Sequence, residues 1–468
     1  MKWHSFLIGA TTLLFLSGCA QLSGPVPLAV ATVQGEEKES VSSQWWEAYG
    51  DVRLNGLVEE ALLYNHDLQT AAANVALASA YLSGAQAQRY PSLSGTASAG
   101  RQQTSGETAS GAPQARGNAY ALSAVLGYEL DLWGKLKMAD RSATQSLLAS
   151  KASQDAVRLG LVASVVDSYF AVVALNEQKE IAARTVALRE EALDIMRKKL
   201  RYGVVSEYEV LANEALVTQA KSTLESIENA LVRQKSALHV LLGTAPDKLF
   251  GEEVVLERAS LPDSITVPEG LPSSLLEQRP DIQAALYALR ASNADIHVAK
   301  AAHFPSISLS GALGYESAAL GNLVRSSANT WSLGGSLVAP LFDFGRVAAG
   351  VEQAKAAQEL ARLAYEQSVY RAFNEVHEAL SARQSLAASR EYLKTQETIQ
   401  ARLLELSTLR YEKGVSDYLS VLDATRSLLE AQLGVVQAQQ AVLSGDISLI
   451  KALGGGWNLE DNLKLSNN

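Results

Sequence analysis

Two periodicities alternate along this chain. Short stretches with an apolar or small residue at every second position come in pairs, and each pair precedes a long stretch in which apolar residues recur every three or four positions. In the first pair, Leu93, Gly95, Ala97 and Ala99 alternate with Ser92, Ser94, Thr96 and Ser98. Tyr120, Leu122, Ala124, Leu126, Tyr128 and Leu130 then alternate with Ala121, Ser123, Val125, Gly127 and Glu129. In the second pair, Ile307, Leu309, Leu313 and Tyr315 alternate with Ser306, Ser308, Ser310 and Gly314, and Trp331, Leu333, Leu337 and Leu341 with Ser332, Gly334 and Ser336. The spacing predicts strands over about residues 91–103, 117–131, 305–316 and 329–342, each with one apolar face and one face of serine and glycine.

The helical period is carried by Val162, Val166, Tyr169 and Val173, by Leu193, Met196 and Leu200, and by Phe373, Val376 and Leu380. No proline falls between Gln114 and Ala245 or after Leu341, and one glycine stands at the matching place in each proline-free stretch, Gly203 and Gly414. Each stretch therefore reads as two long antiparallel helices turning at that glycine: about 134–202 and 206–242, then about 345–413 and 417–453. A helix of about 68 residues is roughly 100 Å long at 1.5 Å per residue.

The chain is a tandem duplication. Asp67-Leu68-Gln69 recurs as Asp281-Ile282-Gln283, Tyr90-Pro91-Ser92 as Phe304-Pro305-Ser306, Trp133-Gly134-Lys135 as Phe344-Gly345-Arg346, and Gly203-Val204 as Gly414-Val415. The offset is about 214 early in each copy and about 211 after Gly134. This organisation predicts a signal peptide at 1–18, a lipidated segment at 19–43, a first repeat at 44–245, an irregular connector at 246–272 holding clustered prolines, a second repeat at 273–453 and a C-terminal tail at 454–468.

The N-terminus adds a location. Lys2 precedes an apolar run from Phe6 to Leu16 that is too short to span a bilayer, and Leu16-Ser17-Gly18-Cys19 resembles a bacterial lipobox. Cys19 is the only cysteine of the chain, so it is the expected lipidation site and no disulfide is expected in the mature protein. Ala20 rather than aspartate follows it, which by that resemblance implies the outer membrane. A net charge of −10 argues against nucleic-acid binding.

A soluble sheet would cover its apolar face with a helix, whereas a membrane barrel turns that face to lipid, with aromatic residues at the ends. The predicted strands match a bilayer crossing of about 9–11 residues. Tyr120, Tyr128, Tyr315 and Trp331 stand where an aromatic belt would fall. Four strands cannot close a barrel, and open edges in lipid leave backbone groups unpaired, so the barrel must be shared by two or more chains.

The residues then resemble a known family. Trp45-Trp46, Asp67-Leu68, Arg279-Pro280-Asp281-Ile282, Phe304-Pro305-Ser306, Leu341-Phe342-Asp343-Phe344-Gly345-Arg346, Gly414-Val415-Ser416-Asp417-Tyr418-Leu419 and Ala452-Leu453-Gly454-Gly455-Gly456-Trp457 are similar, in order, to the outer membrane factors of tripartite efflux pumps. These are the TolC-like proteins, and the closer likeness is to the lipid-anchored branch working with resistance-nodulation-division transporters. The resemblance implies an α+β membrane protein: a homotrimer whose twelve strands form one outer-membrane barrel and whose helices form a periplasmic α-helical barrel. It implies a passive exit duct for drugs or other small toxic compounds. The implied partners are its own copies, outer-membrane lipid, a periplasmic membrane-fusion adaptor and an inner-membrane resistance-nodulation-division transporter. No cofactor is implied beyond the covalent lipid on Cys19.

The same likeness carries over site residues. Asp423 falls on the second of two pore-lining aspartates, Ser420 replaces the first, and Asp417 stands one turn away as a substitute, so these three are the expected periplasmic gate. Gly203 and Gly414 are the expected tip turns. Glu209 matches an acid that ties neighbouring helices at the tip, although the family's basic partner falls on Ser416. No enzyme is expected: His377-Glu378 begins like a zinc-protease helix, but Ser381 stands where the second histidine must be. Two other functions fit the pattern, a duct for type I protein secretion and a non-conducting lipoprotein scaffold.

Overall fold

A computed structural model describes residues 44–103, 105, 116–244, 260–264 and 278–455. The signal peptide, Cys19 and its segment to residue 43, most of the connector 246–272 and most of the tail 454–468 lie outside the described residues.

The two repeats are built alike. In the first, a 3-10 helix Trp45–Tyr49 leads into α1 (Val52–Tyr64) and α2 (His66–Ala87), then β1 (Ser92–Gln103), β2 (Arg116–Leu130), α3 (Lys135–Arg201) and α4 (Glu207–Leu242). The second holds α5 (Pro280–Ala301), β3 (Ser306–Ser317), β4 (Asn329–Val338), α6 (Arg346–Glu412) and α7 (Leu419–Ala452). The long helices α3 and α6 have 67 residues each. Each starts after a left-handed glycine, Gly134 or Gly345, and a preceding aspartate satisfies free amides of the first turn. Asp131 accepts from Leu136 and Lys137 at 3.0 and 2.8 Å, and Asp343 accepts from Gly345 and Val347 at 3.0 and 2.9 Å.

The four strands form one antiparallel sheet in chain order, β1-β2-β3-β4. The sheet thus joins the repeats through β2 and β3, with Leu130 opposite Ile307 and Tyr120 opposite Ser317. β4 is shorter than the expected 329–342. It ends at Val338, opposite Ser306, the first residue of its partner β3, and Pro340 just beyond has no amide hydrogen to extend the ladder. Leu341 therefore lies outside the strand alternation and is 96% exposed.

The main core sits where both repeats meet. Trp45, Trp46, Leu54, Leu57 and Val58 pack on the middle of α3 from Leu161 to Val173, with the C-terminal ends of α4 and α7 completing it. α3 holds an 18-residue stretch apolar enough to cross a membrane, yet 61% of that stretch is buried inside the chain. Asp51 anchors the entry: it caps α1 through the amides of Arg53 and Leu54, and it accepts from the Tyr169 hydroxyl at 2.7 Å.

The same tie closes both repeats with different chemistry. Asn65 caps α2 and its amide donates to the Leu241 carbonyl at 2.9 Å. Arg279, at the equivalent place, donates to the Ala452 carbonyl at 2.7 Å, and its guanidinium also binds Asp281 at 2.8 Å and Glu375 at 2.7 Å. Burial pulls the Asp281 carboxyl up, but the hydrogen bonds and charge of Arg279 more than offset it and hold it below the usual range. Gly243, two residues past the carbonyl on which the first tie lands, adopts φ +68, and a side chain there would run into the Tyr64 carbonyl. The second repeat adds an ion pair of Arg383 with the fully buried Asp446 at 2.8 Å, and Ser264 of the connector donates to the other carboxylate oxygen at 2.6 Å.

Candidate functional site

The sheet register sorts its side chains into two chemically distinct faces. One face carries Leu93, Leu122, Leu126, Leu309, Leu313, Trp331, Leu333 and Leu337, all exposed in the single chain, with Trp331 and Leu333 at 75% and 81%. No described helix covers them, so the soluble alternative of a sheet with a buried apolar face does not apply. The opposite face is Ser92, Ser94, Thr96 and Ser98 on β1, continuing as Ser123, Ser308, Ser310, Ser332 and Ser336 across the other strands. Its hydroxyls turn onto neighbouring strands: Ser92 to the Gly127 carbonyl at 3.3 Å, Ser94 to that of Val125 at 3.4 Å, and Thr96 to the Ser123 hydroxyl at 2.8 Å. Tyr120, Tyr315 and Trp331 lie toward the loop end of the strands and Tyr128 toward the helical end, so the aromatics mark both rims of the apolar band. Both outer strands, β1 and β4, are exposed along their whole length, with one backbone edge each unpaired.

At the corner between sheet and helices, Trp133 stacks on Phe304 at 4.8 Å and its indole nitrogen donates to the Pro305 carbonyl at 2.7 Å. This contact joins the first repeat to the second. Phe344 and Tyr90, their counterparts, do not meet each other among the described residues: Phe344 packs edge-on against its neighbour Phe342 at 4.5 Å, and the two are 91% and 72% exposed.

The far end of the helices is closed by two matching turns. Gly203 adopts φ +70 and donates to the Leu200 carbonyl, while Val204 reaches back to that of Lys199. Gly414, at φ +69, and Val415 repeat this with Tyr411 and Arg410. A left-handed residue is what such a helix stop requires, and glycine adopts it without strain. The helices leaving the turns are capped by a serine and an acid in opposite order. Ser206 caps α4 with Glu209 three residues on, whose carboxylate accepts from the Ser206 amide at 2.7 Å and hydroxyl at 2.9 Å. Asp417 takes the serine's place before α7, and Ser420 donates to it from the amide at 3.3 Å and the hydroxyl at 2.9 Å.

A hydrogen bond, an apolar packing contact and a cation–ring contact join the tips of the repeats. Tyr418 donates its hydroxyl to the Asn213 side-chain oxygen at 3.3 Å, and Asn213 is held in that orientation because its nitrogen donates to the Glu209 carbonyl at 2.8 Å. The Tyr418 ring packs on Leu193, Met196, Val210 and Val217 and lies 4.9 Å from the Tyr411 ring. Lys199 sits over that Tyr411 ring at 5.6 Å. Burial, then Tyr411, push the Tyr418 phenol up against the pull of Arg189, so it stays a neutral donor at any physiological pH.

The expected gate residues therefore fall in one region with different local duties. Asp423 is exposed on α7 with Arg426 at 3.8 Å, and Asp417 and Ser420 form the α7 cap. Glu209, expected to tie neighbouring helices, closes the N-terminus of its own helix within the chain, where Ser206 three residues away offers both a hydroxyl and a free amide. Ser416, at the place of the basic partner, has a buried hydroxyl with no partner among the described residues. Asn213, Tyr418, Arg279 and Arg383 carry contacts that the motif reading did not assign. The repeat offset was the available signal, since it sets Arg279 over the helix cap Asn65. Among the described residues no group of three or more His, Cys, Asp or Glu side chains could hold a metal ion.

Comparison with known proteins bears on this geometry. The profile of the outer membrane efflux protein family matches residues 57–244 and 271–455, one stretch in each repeat. The solvent efflux pump outer membrane protein SrpC of Pseudomonas putida is 31% identical over 99% of this chain and 100% of its own length. The pyoverdine export outer membrane protein OpmQ of Pseudomonas aeruginosa is 34% identical over 95% of each chain. Among solved structures, the CmeC outer membrane channel of Campylobacter jejuni superposes with a TM-score of 0.85 at 28% identity, covering 93% of this chain and 94% of that one.

Proposed function

This chain belongs to the outer membrane efflux protein family, and from that premise we infer how its geometry makes a duct. It is the outer-membrane exit component of an efflux system, a channel rather than a catalyst, lying in the outer membrane and reaching into the periplasm. The observation that carries the reading is the four-stranded sheet with an exposed apolar face, a hydroxyl-lined face and two unpaired edges. In hydrocarbon each unpaired backbone group costs several kcal/mol, so β4 of one copy must pair with β1 of the next until the ring closes. Three copies bring twelve strands, and the long helices continue the wall as a tunnel.

The serine face lines the water-filled bore, and the apolar face meets lipid between its aromatic rims. Three Asp423 carboxylates, one per subunit, surround the narrow periplasmic end, with Asp417 and Ser420 a turn nearer the tip. Their mutual repulsion favours cation occupancy or widening there. Cys19 carries the lipid that holds the N-terminus in the membrane. A periplasmic adaptor docks on the helical end and an inner-membrane transporter of the resistance-nodulation-division class supplies the energy. The cargo is drugs or other small toxic compounds, selected upstream of this protein. No step of this transport calls for catalysis by the chain itself.

Purification in detergent with sizing, followed by channel recording, tests the reading. A trimer that conducts is expected, and a non-conducting monomer would end it. Within that assay, Asp423→Asn is expected to weaken block by divalent or trivalent cations; unchanged block would remove Asp423 from the gate.

A further inference from the structure

Charge is sorted on the sheet as strictly as polarity. The charged residues of its strands are Arg101, Arg116, Glu129 and Glu316. The register sends the two signs to opposite faces. Glu129 pairs with Ser308 and Glu316 with Ala121, so both acids lie on the hydroxyl-lined face, where Lys135 holds Glu129 at 3.1 Å. Arg101 pairs with Asn118 and Arg116 with Gln103, in step with Leu122 opposite Ala97 and Leu126 opposite Leu93. Both bases therefore lie on the apolar face, and both are exposed.

They also share one rim of that face. Tyr120, one of the loop-end aromatics, pairs with Ala99; Arg101 follows Ala99 by two residues and Arg116 precedes Tyr120 by four. At about 3.3 Å per residue they stand about 7 and 13 Å beyond the ring, toward the loops. The helical rim of the same face, formed by Leu93, Tyr128, Leu130, Ile307 and Leu337, holds no charge. A cation on a lipid-facing strand is costly at the bilayer midplane and nearly free at the interface, so the two arginines belong at headgroup depth. The helices point into the periplasm, which puts this rim in the outer leaflet.

The arginines are diagonal neighbours across the β1–β2 hairpin, a step of about 7–8 Å that long side chains bridge. Arg116 donates its Nε to the Gln103 side-chain oxygen, which holds the guanidinium by one nitrogen and leaves its terminal nitrogens as donors. Two cations so placed repel each other, and an anion between them turns the repulsion into attraction. The planar fork of a guanidinium matches phosphate oxygens in particular.

We propose that Arg101 and Arg116 form a binding site for a phosphate-bearing lipid headgroup of the outer leaflet, one per subunit, with Tyr120 below it at the acyl boundary. The proposal rests on the duct reading above, which turns this face to lipid. The site holds the outer rim of the barrel at headgroup depth.

Full-length trimer in neutral detergent, titrated with bisphosphorylated lipid A and followed by native mass spectrometry, tests this. One lipid per subunit is expected to bind, and Arg101→Gln with Arg116→Gln is expected to weaken binding about fivefold for each arginine. Lipid A stripped of its phosphates is expected to bind wild-type protein no better than the double variant binds the intact lipid. Glu316→Gln, near the same rim but on the hydroxyl-lined face, is expected to bind as wild type does. Equal binding of lipid A by wild type and the double variant, with both sizing as trimers, would overturn the proposal. So would equal binding of the intact and the stripped lipid, or displacement of the lipid by an equal concentration of inorganic phosphate, which would assign the site to the free ion. A protein that never sizes as a trimer would instead overturn the duct reading itself.

Discussion

The helices α3 and α6 are copies of one ancestral element and have the same length, yet they live differently. Twenty residues of α3 are buried, against three of α6, Val351, Ala372 and Ala379. α3 packs against α1, α2, α4, α5 and α7, whereas the extensive packing of α6 among the described residues is on α5 and α7. The difference is not one of apolar content at the critical places, since Phe373 and Leu380 are at least as large and apolar as the residue types a core uses. It is a difference of position: α3 has helices of both repeats packed on it, whereas α6 is packed chiefly on α5 and α7 of its own repeat. Burial within one chain thus marks which repeat boundary is covalently guaranteed, and exposure marks which one waits for another copy.

The largest effects should come from that pair. Val162→Asp, inside the α3 core, is expected to cost about 4 kcal/mol or more and to prevent folding, read as loss of helical circular dichroism. Phe373→Asp, its counterpart on α6, is expected to leave helicity intact and abolish the oligomer on native gels. A folded oligomer of Phe373→Asp would break the comparison. Next come the ties between helix caps and helix ends. Arg279→Ala removes a charged, buried donor and is expected to cost about 2 kcal/mol, against about 1 kcal/mol for Asn65→Ala, both read from thermal melts. The two ties also differ in pH response. Because Arg279 holds Asp281 below its ordinary pKa, that stabilisation is full above about pH 4 and is lost as pH falls through the depressed value. Wild-type protein is therefore expected to lose stability more steeply below about pH 4 than Arg279→Asn, which converts the second tie into the first. Tyr418→Phe should cost about 1 kcal/mol locally and raise the spontaneous opening rate in single-channel records. The smallest effect is expected for Glu209→Gln, at most about 0.5 kcal/mol, because glutamine still completes a capping box; a large effect on channel closure would restore Glu209 as a tie between helices.

How far the sequence could be read depended on the range of the interaction. The long helices declared themselves through proline-free runs and Gly203 and Gly414, and their observed ends, at Arg201 and Glu412, are set by those glycines. The strands declared themselves through alternation, which is a local property. Where a partner decided the outcome, local pattern was insufficient: β4 stops at Val338 because β3 has run out, although the alternation continues to Leu341. Glu209 showed the same ambiguity at the gate, since an acid three residues after a serine serves equally as a cap or as a bridge until the geometry is known. The contacts of Arg279 with Ala452 and of Tyr418 with Asn213 bring together residues 173 and 205 positions apart, and no window along the chain contains both partners.

The hydroxyl-lined face of the sheet has a further consequence for what passes along it. Ser92, Ser94 and Thr96 direct their hydroxyl groups to carbonyls or hydroxyls of the adjoining strand. Such a wall is wet but already satisfied, and it presents small residues with little relief on which a molecule could lodge. Travellers of unlike shape and polarity should slide through with little friction, and the last few nanometres of their exit should be blind to what they are.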